Sequence, residues 1–238
     1  MMNNNTKISI IIPCYNEINT IDIILKKITL NLKKYNFDNY EIIVVDDCSY
    51  DGTKEKLKNS NINGLKIFFH EKNLGKGAAI HTAIKYISGE IIIIQDADLE
   101  YNPHDYKKLL TPFFETDADV VYGSRFIGGG KYVRIHFFWH YLANKIITLT
   151  CNLFTNLNLT DVETGYKVFK VSCINNIKLV EKSFSFEPEI TIKFAKKKYR
   201  FFEVPISYNG RSYEEGKKIG LKDAFIAFKA IFLYTFKD

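Results

Sequence analysis

The sequence Glu-Ile-Ile-Ile-Ile-Gln-Asp-Ala-Asp-Leu-Glu-Tyr-Asn-Pro-His-Asp, at residues 90–105, joins four consecutive isoleucines to a cluster of carboxylates. Four β-branched residues without polar alternation are typical of a strand covered on both faces, as in a parallel sheet packed between helices. Ligands of open α/β sheets bind outside the carboxyl ends of the strands. Asp96, Asp98 and Glu100 are therefore predicted to lie where a ligand binds.

Strand and helix patterns alternate on either side of this stretch. Apolar runs bounded by turn residues predict strands, and apolar residues at intervals of three and four predict helices. The predicted strands are residues 7–12, which Pro13 ends, 41–45, 65–69, 91–94, 119–122, part of 161–170, and 201–207. The predicted helices are residues 21–35, a short one after Thr53, one from 77 to about 87, 103–114, 137–154, 171–180, 188–197 and 221–236. Because the connections are short, the expected fold is α/β, with a mostly parallel sheet flanked by helices.

The length of the chain fits one large domain. With 238 residues, folding buries roughly 70–75% of the surface that the unfolded chain exposes, which is enough for a sizeable core. Residues 1–220 are expected to form this domain. Residues 221–238 are expected to form an amphipathic helix, which either packs on the same domain or lies in a membrane interface.

The charge of the chain favours partners that carry phosphate. Thirty-three basic residues against 27 acidic ones give a net charge of +6, and the excess is concentrated at residues 193–200 and 217–222. Such segments attract phosphate groups and anionic membranes alike. No nucleic-acid recognition motif accompanies them, so nucleic acid is not an expected partner. No run reaches the roughly 18–20 apolar residues of a transmembrane helix, so the protein is expected to be soluble or peripheral.

The Asp-x-Asp pair at residues 96 and 98 is a candidate metal site. On extended backbone, side chains two residues apart point to the same side, so one divalent ion can bridge both carboxylates. Mg²⁺ and Mn²⁺ suit such oxygen ligands, and Mg²⁺ takes its other ligands from water and substrate phosphates. Glu100 is a candidate third ligand. The alternative is a solvated turn with helix-capping acids, but the position after a buried strand favours the metal.

Polar residues also follow two other predicted strands. Asp46 and Asp47 end the second one, where an acid of a nucleotide-binding sheet commonly binds a ribose hydroxyl or a base edge; the alternative is turn chemistry. Residues 13–17 follow the first strand and place an aromatic ring next to an acid, which suits a base and a ribose; the alternative is a capped helix start. Lys76 is a further donor-binding candidate, although the glycines beside it match neither glycine-rich phosphate motif.

Five motifs occur in the order in which one family carries them. They are Pro-Cys-Tyr-Asn-Glu at 13–17, Val-Asp-Asp-Cys-Ser-Tyr-Asp-Gly-Thr at 45–53, Asn-Leu-Gly-Lys-Gly at 73–77, Asp-Ala-Asp-Leu-Glu at 96–100 and Tyr-Gly-Ser-Arg at 122–125. Together they resemble the family 2 glycosyltransferases of the dolichyl- or polyprenyl-phosphate sugar synthase type, over about residues 7–210. The resemblance implies a GT-A fold that transfers a sugar from a GDP- or UDP-linked donor with inversion at the anomeric carbon, using Mg²⁺ or Mn²⁺.

The resemblance also implies roles for individual residues. The nucleoside side would be formed by Pro13, Tyr15, Glu17 and Asp47, with Asp96 on the ribose or the metal. Asp98 and Glu100 would face the metal and the diphosphate; family members often have Gln in place of Glu100. Arg125 would lie near the diphosphate or an acceptor phosphate, and Arg134 is a looser match.

The nature of the acceptor decides whether a base is needed. A lipid monophosphate has a second pKa near 6, so it is substantially anionic at neutral pH and needs no strong base. A sugar or lipid hydroxyl needs one, and the candidates are His140, Asp161 and Glu163. For His140 a packing or capping role is the alternative. The resemblance also implies that Asp161 and Thr164 approach the acceptor, and the alternative for both is a turn cap. A phosphate acceptor is favoured by the basic set Arg125, Arg134, Arg211, Lys217 and Lys218, because arginine binds phosphate bidentately.

Two other classes of function are compatible with these motifs. A sugar-phosphate nucleotidyltransferase also places an aspartate-bound metal beside a nucleotide, but the glycine-rich N-terminal phosphate loop is missing. A protein that binds nucleotide-sugars or membranes without turnover is the non-enzymatic alternative, against which the intact acids argue. The expected setting is the cytoplasm, on the cytoplasmic face of a membrane, with a membrane protein or a second copy of the chain as a further partner.

Overall fold

The central strand of the sheet is β4 (Ile91–Ile94), whose isoleucines are at most 4% exposed. The computed structural model describes residues 6–128, 137–210 and 221–237. In it, β4 pairs in parallel with β1 (Ile8–Cys14) and antiparallel with β6 (Lys167–Lys170). Helices pack on both faces of these strands. The burial predicted from the run of isoleucines is confirmed.

Seven strands form one sheet in the order β3-β2-β1-β4-β6-β5-β7. The remaining strands are β2 (Tyr40–Asp46), β3 (Leu65–Phe69), β5 (Val120–Ser124) and β7 (Phe201–Pro205). Among the described strands, β6 alone runs against its neighbours. The carboxyl ends of the other six strands and the amino end of β6 therefore share one edge, and the predicted mostly parallel α/β sheet is confirmed.

Eight α-helices within the described residues cover this sheet, and a 3₁₀ turn, Pro103–Asp105, precedes the fourth of them. They are α1 (Ile21–Lys34), α2 (Thr53–Lys58), α3 (Lys76–Ile84), α4 (Tyr106–Glu115), α5 (Phe138–Thr155), α6 (Val171–Asn175), α7 (Phe186–Lys196) and α8 (Leu221–Phe236). The buried side chains of α1 and α4 pack on one face of the sheet, and those of α3, α5, α7 and α8 pack on the other.

Two predicted boundaries are wrong for identifiable reasons. Pro13 does not end β1 but pairs with Val45 inside it. The ladder between β1 and β4 stops at Ile11, so the missing N–H of Pro13 costs no hydrogen bond there. The helix predicted at residues 171–180 ends at Asn175, and the chain beyond it is held outside any helix because Glu189 accepts the backbone N–H groups of residues 180 and 181.

The final helix is amphipathic, as predicted. Ala227, Ala230 and Ile231 of α8 are buried against the core, whereas Phe225 and Phe236 are 77% and 78% exposed. One face of α8 therefore packs on the domain, and the other carries large aromatic rings in contact with solvent. Among the described helices, none is long and apolar enough to cross a membrane.

Candidate active site

The candidate site lies along the edge of the sheet where six strands end. The loops after β1, β2, β4 and β5, together with the loop before β6, all reach this edge. The loops carry Glu17, Asp98, Arg125 and Asp161, and Asp46 is the last residue of β2. The topology therefore brings together motifs that are far apart in the sequence.

The Asp-x-Asp pair lies in a turn, so the expectation of extended backbone was wrong. β4 ends at Ile94, residues 97 and 98 form the turn, and Leu99 has a φ of 65°. One oxygen of Asp98, Oδ1, accepts the backbone N–H of Glu100 at 3.1 Å, which is the local hydrogen bond that Asp often makes in turns. Asp98 therefore binds within its own turn, whereas Asp96 lies just after the end of β4.

Lys76 links Asp96 to Glu187, which lies in the first turn of α7. Its Nζ is 2.8 Å from Asp96 Oδ1 and 2.9 Å from Glu187 Oε1. The side chains of Lys76, Asp96 and Glu187 are 13%, 17% and 7% exposed. Burial lowers the pKa of Lys76, but the two carboxylates outweigh burial and raise this pKa well above its usual value. Lys76 is therefore a cation placed between two acids.

The glycines beside Lys76 serve close packing. An added Cβ at Gly75 or Gly77 would press on the backbone carbonyls of Lys182 and Glu181, respectively. Gly75 also has a φ of 98°, which a side chain would strain. These glycines let the start of α3 lie against residues 181–183, which explains why their spacing matches no phosphate motif.

Glu100 is engaged by the segment that follows β7. Its Oε2 accepts the hydroxyl of Tyr208 at 2.8 Å, and its carbonyl oxygen accepts the N–H of Asn209 at 2.9 Å. Tyr208 also pairs with Tyr101 through an isolated β-bridge. Glu100 thus fastens the chain after β7 to the turn after β4.

The described residues contain no group of three His, Cys, Asp or Glu side chains placed to share one metal ion. Asp96, Asp98 and Glu100 therefore do not form a preassembled three-ligand site. Mg²⁺ typically uses one or two carboxylates and completes its shell with water and substrate phosphates. Two partly exposed aspartates at the end of the central strand fit that requirement, so the donor set is compatible with a divalent ion that binds together with a diphosphate.

Gly165 sets how closely β6 approaches Asp96. A Cβ added there would lie against Asp96 Oδ2 and 2.8 Å from Cε2 of Tyr101. Tyr101 cannot easily yield, because its hydroxyl accepts the N–H of Gly165 at 2.8 Å and its side chain is buried.

We expect Gly165→Ala to weaken Mn²⁺ binding in the presence of a nucleoside diphosphate by about tenfold, because the new methyl group displaces the Asp96 carboxylate; tenfold corresponds to about 1.4 kcal/mol. Calorimetric titration measures the change. Gly128→Ala is the matched control, since its Cβ would meet no described atom within 4 Å. Unchanged binding in Gly165→Ala would refute the role given to this contact.

Asp46 and Asp47 differ in how many hydrogen bonds their carboxylate oxygens accept. Asp47 accepts His70 Nδ1 at 2.6 Å and the backbone N–H groups of Leu74 and Gly75 at 2.9 and 2.7 Å. It therefore holds the loop that leads into α3. Asp46 Oδ2 accepts the N–H of Ser49 at 3.2 Å, but its buried Oδ1 has no hydrogen-bond partner among the described residues. Of the two, only Asp46 keeps an acceptor oxygen without a partner among the described residues, and its side chain is fully buried.

The segment after β1 is organised by its neighbour after β2. The N–H of Glu17 donates to Thr53 Oγ1 at 2.9 Å, and its Oε2 accepts the hydroxyl of Thr20 at 2.7 Å. Tyr15 packs edge-to-face on Tyr50, which is 81% exposed. Pro13 lies inside β1 and fixes the direction of this segment. An aromatic surface and an acid therefore follow directly after Cys14, which pairs with Asp46 in the sheet.

Arg125 and Asp161 form a buried, bidentate ion pair. Nε and Nη2 of Arg125 each lie 2.7 Å from a different oxygen of Asp161, and the N–H of Arg125 also donates to Asp161 at 3.1 Å. Asp161 is fully buried. Burial would raise the pKa of its carboxyl, but the guanidinium outweighs burial and holds this pKa below its usual range. This geometry disfavours Asp161 as a general base, because both oxygens are occupied and the carboxylate has no exposed surface.

The guanidinium of Arg125 is held from a second side by aromatic rings. Its Cζ lies 5.1 Å from the ring centre of Tyr208 and 5.5 Å from that of Phe126. Arginine stacks readily on such faces. The group is thus fixed in orientation by Asp161 and these rings while 13% of its side chain stays exposed.

Glu163 is a carboxyl group at this edge whose pKa is raised. Burial, together with the charge of Glu187, raises the pKa of Glu163 to about 7. Its Oε1 has no hydrogen-bond partner among the described residues. Nearby, Lys167 donates to the carbonyl oxygens of Val162 and Thr164 at 2.8 and 2.6 Å, and burial lowers its pKa to about 8. Thr164 itself is buried, with its carbonyl turned to this lysine.

We expect Glu163→Gln to stabilise the protein at pH 8 by about 3 kcal/mol and to have little effect at pH 4, from about 1.4 kcal/mol per unit of pKa shift. A carboxyl whose folded pKa is raised contributes stability below its unfolded pKa and loses that contribution as pH rises through the folded pKa, here between about 4.5 and 7. Urea unfolding at both pH values measures this. A variant that is less stable than the parent at pH 8 would contradict it.

Several predicted residues have less defined positions. His140 is half-buried in the first turn of α5, next to Phe137. Arg134, Arg211, Lys217 and Lys218 lie outside the described residues, so their predicted contacts with an acceptor phosphate stay predictions.

The sequence analysis missed two side chains that organise the site. Glu187 holds Lys76, and the signal for it was an acid in front of Pro188 at a helix start, although the helix begins at Phe186, two residues before the predicted start. His70 holds Asp47 and donates or accepts at Thr82 Oγ1 at 2.8 Å. Its signal was its position directly after β3, at the same edge as the acids.

Solved structures share this architecture. Glucosyl-3-phosphoglycerate synthase from Mycobacterium tuberculosis, in complex with Mn²⁺, UDP and phosphoglyceric acid, is similar with a TM-score of 0.74 and 19% identity, over 98% of this chain and 80% of that one. A complex of the same synthase with Mg²⁺ and UDP has a TM-score of 0.72 at 18% identity, over 97% of this chain and 79% of that one. The likeness confirms the predicted GT-A fold.

Curated relatives cover most of this chain. A dolichol-phosphate mannosyltransferase of Pyrococcus furiosus is 29% identical over 216 residues, which is 90% of this chain and 60% of the relative. An undecaprenyl-phosphate mannosyltransferase of Micrococcus luteus is 28% identical over 228 residues, which is 88% of this chain and 86% of the relative. The chain thus spans less than two thirds of the first of these proteins. The family model described as glycosyl transferase family 2 matches residues 9–177, and the chain belongs to this family.

Proposed function

We propose that the protein transfers a sugar from a nucleotide-sugar to a polyprenyl phosphate, with inversion at the anomeric carbon and with a divalent metal ion. The observation that carries the proposal is the arrangement at the edge of the sheet. Asp96 and Asp98 follow the central strand, and the Arg125 guanidinium is held in place at the same edge by Asp161. The similarity to polyprenyl-phosphate mannosyltransferases supports the acceptor.

The donor half of the site is formed by the loops after β1, β2 and β4. The buried Oδ1 of Asp46 has no hydrogen-bond partner among the described residues, and a base N–H or a ribose hydroxyl would supply one. Tyr15 and Glu17 follow the strand residue that pairs with Asp46, and Asp47 holds the loop before α3 in shape. A GDP- or UDP-linked sugar fits this half, in which Asp96 and Asp98 would hold Mg²⁺ or Mn²⁺.

The metal, when bound, supplies positive charge that stabilises the leaving nucleoside diphosphate. The protein contributes positioning: Asp98 and Asp96 fix where the diphosphate lies, and the Arg125 guanidinium offers its exposed part to a phosphate oxygen. Because a lipid monophosphate is already anionic near neutral pH, no residue has to remove a proton from it. The buried, ionised Asp161 fits this scheme as a positioning residue for Arg125.

Transfer to a sugar or lipid hydroxyl is the second candidate function. One observation favours it, which is that the pKa of Glu163 is raised to about 7, near the value that suits a general base. An acceptor panel separates the two. We expect product with undecaprenyl or dolichyl phosphate and none with the corresponding free alcohol or with 3-phosphoglycerate. Transfer to the alcohols in preference to the phosphates would overturn the proposal and implicate Glu163.

A polyprenyl acceptor lies in a membrane, so we propose that the protein works peripherally, at the cytoplasmic face. The exposed faces of α5 and α8 support this, because these helices pack on one another through Phe154 and Phe232, at a ring distance of 5.1 Å. Leu149 and Leu153 of α5 are 70% and 77% exposed, like the outer rings of α8. Apolar side chains of this size gather on surfaces that meet other apolar surfaces.

We expect Phe225→Ser with Phe236→Ser to reduce binding to liposomes that contain anionic lipid by about tenfold, while the unfolding midpoint changes little, because both rings lie outside the core. Sedimentation with liposomes measures binding. Ala230→Ser, on the buried face of α8, is the control that should leave liposome binding unchanged. Equal binding by the double variant and the parent would contradict a membrane role for this face.

A further inference from the structure

Lys76 and a metal ion would compete for the same carboxylate, that of Asp96. Lys76 contacts one oxygen of Asp96, a proposed ligand of the metal, and one oxygen of Glu187, which has no part in the proposed metal site. A lysine ammonium and a divalent cation cannot share the same carboxylate oxygen without strong repulsion, because the exposed fraction of all three side chains is small and screening is weak.

Glu187 is able to hold Lys76 alone. Its Oε2 has no hydrogen-bond partner among the described residues, although it is buried. A buried carboxylate oxygen without a partner is unfavourable, so an acceptor is available for a lysine that loses its contact with Asp96. A small rotation of the Lys76 side chain between two acids therefore has a favourable end point.

We propose that Lys76 is an internal counter-cation of the metal site, which neutralises Asp96 until a divalent ion binds and then pairs with Glu187. This inference rests on the metal-dependent function proposed above, and it adds Glu187 as a positioning residue. In the absence of metal, the contact with the lysine holds the Asp96 side chain in place. The anchoring of α3 by Gly75 and Gly77 against residues 181–183 keeps Lys76 and Glu187 close together in both arrangements.

The arrangement couples metal binding to donor binding. A metal ion alone must displace Lys76 from Asp96, which weakens its binding. When the metal ion arrives with a nucleoside diphosphate, the diphosphate adds negative charge next to Lys76 and offers the lysine a further partner. The expected order is therefore weak binding of the metal alone and strong binding of the metal with the nucleotide.

The test is the affinity for Mn²⁺ without nucleotide, measured by the electron paramagnetic resonance signal of free Mn²⁺. Lys76→Gln removes the competing charge, so Mn²⁺ should bind about tenfold more tightly, which is about 1.4 kcal/mol. Glu187→Gln leaves Asp96 as the only carboxylate in contact with the lysine, so Mn²⁺ should bind more weakly, by about threefold or more. The two variants therefore shift the affinity in opposite directions.

Lys85→Gln is the control for the loss of one positive charge, since Lys85 is exposed at the end of α3, and it should change the affinity by less than about twofold. Unchanged or weaker Mn²⁺ binding in Lys76→Gln would overturn the inference, as would a shift of both site variants in the same direction. A protein that transfers no sugar but shows the opposite shifts would refute the proposed function alone, because these shifts are measured without any substrate.

Discussion

Asp98→Asn is expected to lower kcat/KM for sugar transfer by about 10³-fold, because the metal ion stabilises the leaving diphosphate by several kcal/mol and Asp98 is proposed to hold it. Asparagine keeps the shape of the side chain and an oxygen that accepts the Glu100 N–H, so the turn after β4 should be preserved. The loss should therefore appear in transfer and in Mn²⁺ affinity, measured with saturating donor, and not in the thermal unfolding midpoint.

Asp38→Asn is the matched control, because Asp38 is an exposed aspartate in the loop between α1 and β2. It makes the same change of charge away from the edge where the strands end, and it should retain the activity of the parent. If Asp98→Asn kept more than about a tenth of that activity, the loss of transition-state stabilisation would be below about 1.4 kcal/mol, and Asp98 could not be a ligand on which transfer depends.

Arg125→Lys is expected to cause the second largest effect, a loss of about 10²-fold in kcat/KM together with a lower stability. Lysine keeps the charge but cannot make two parallel hydrogen bonds to Asp161 and cannot stack as guanidinium does. Complete removal of one partner of a buried ion pair costs about 3–5 kcal/mol, and lysine should recover part of this. Activity assays and urea unfolding on the same preparation measure the two effects.

Arg200→Lys provides a comparison with the same chemistry on the surface. Arg200 also makes a bidentate pair, with Nε and Nη2 bound to the two oxygens of Asp119 at 2.8 and 2.9 Å, but half of its side chain is exposed. Its replacement should change neither the activity nor the unfolding midpoint appreciably. Equal activity of Arg125→Lys and Arg200→Lys would show that the fixed guanidinium of Arg125 is dispensable.

A cycle with Asp161→Asn distinguishes positioning from base catalysis. If Asp161 acts through Arg125, the double variant Arg125→Lys with Asp161→Asn should be little worse in kcat/KM than the worse single variant. If Asp161 were instead a general base, kcat would depend strongly on pH, and Asp161→Asn would abolish this dependence.

The fold was predictable where local patterns agree with burial. Ile91–Ile94 form a strand that is buried on both faces, and an uninterrupted β-branched run has no other favourable environment in a domain of this size. The boundaries were less predictable because they depend on neighbours. Whether Pro13 ends β1 depends on how far the adjacent β4 extends, and the end of α6 depends on Glu189, which lies on another helix.

The sequence predicts which residues lie at the edge of the sheet, but not which of them contact each other. The acids after β2 and β4 and the arginine after β5 follow from the parallel topology, which brings such ends to one edge. The pairings were not predictable, since Lys76 with Glu187 and Glu100 with Tyr208 join residues that are distant in the chain. The separate roles of Asp46 and Asp47 also required the structure, because the two adjacent carboxylates differ only in which oxygens are already bound.

The most direct test of the central proposal is one reaction in which both products are identified. A panel of GDP- and UDP-linked sugars is incubated with undecaprenyl or dolichyl phosphate and Mn²⁺, and the lipid and nucleotide products are analysed by mass spectrometry and NMR. We predict equal amounts of a nucleoside diphosphate and a prenyl-phosphate-linked sugar with inverted anomeric configuration, and the loss of both with EDTA or Asp98→Asn. Release of pyrophosphate, or transfer that persists without metal, would contradict the account.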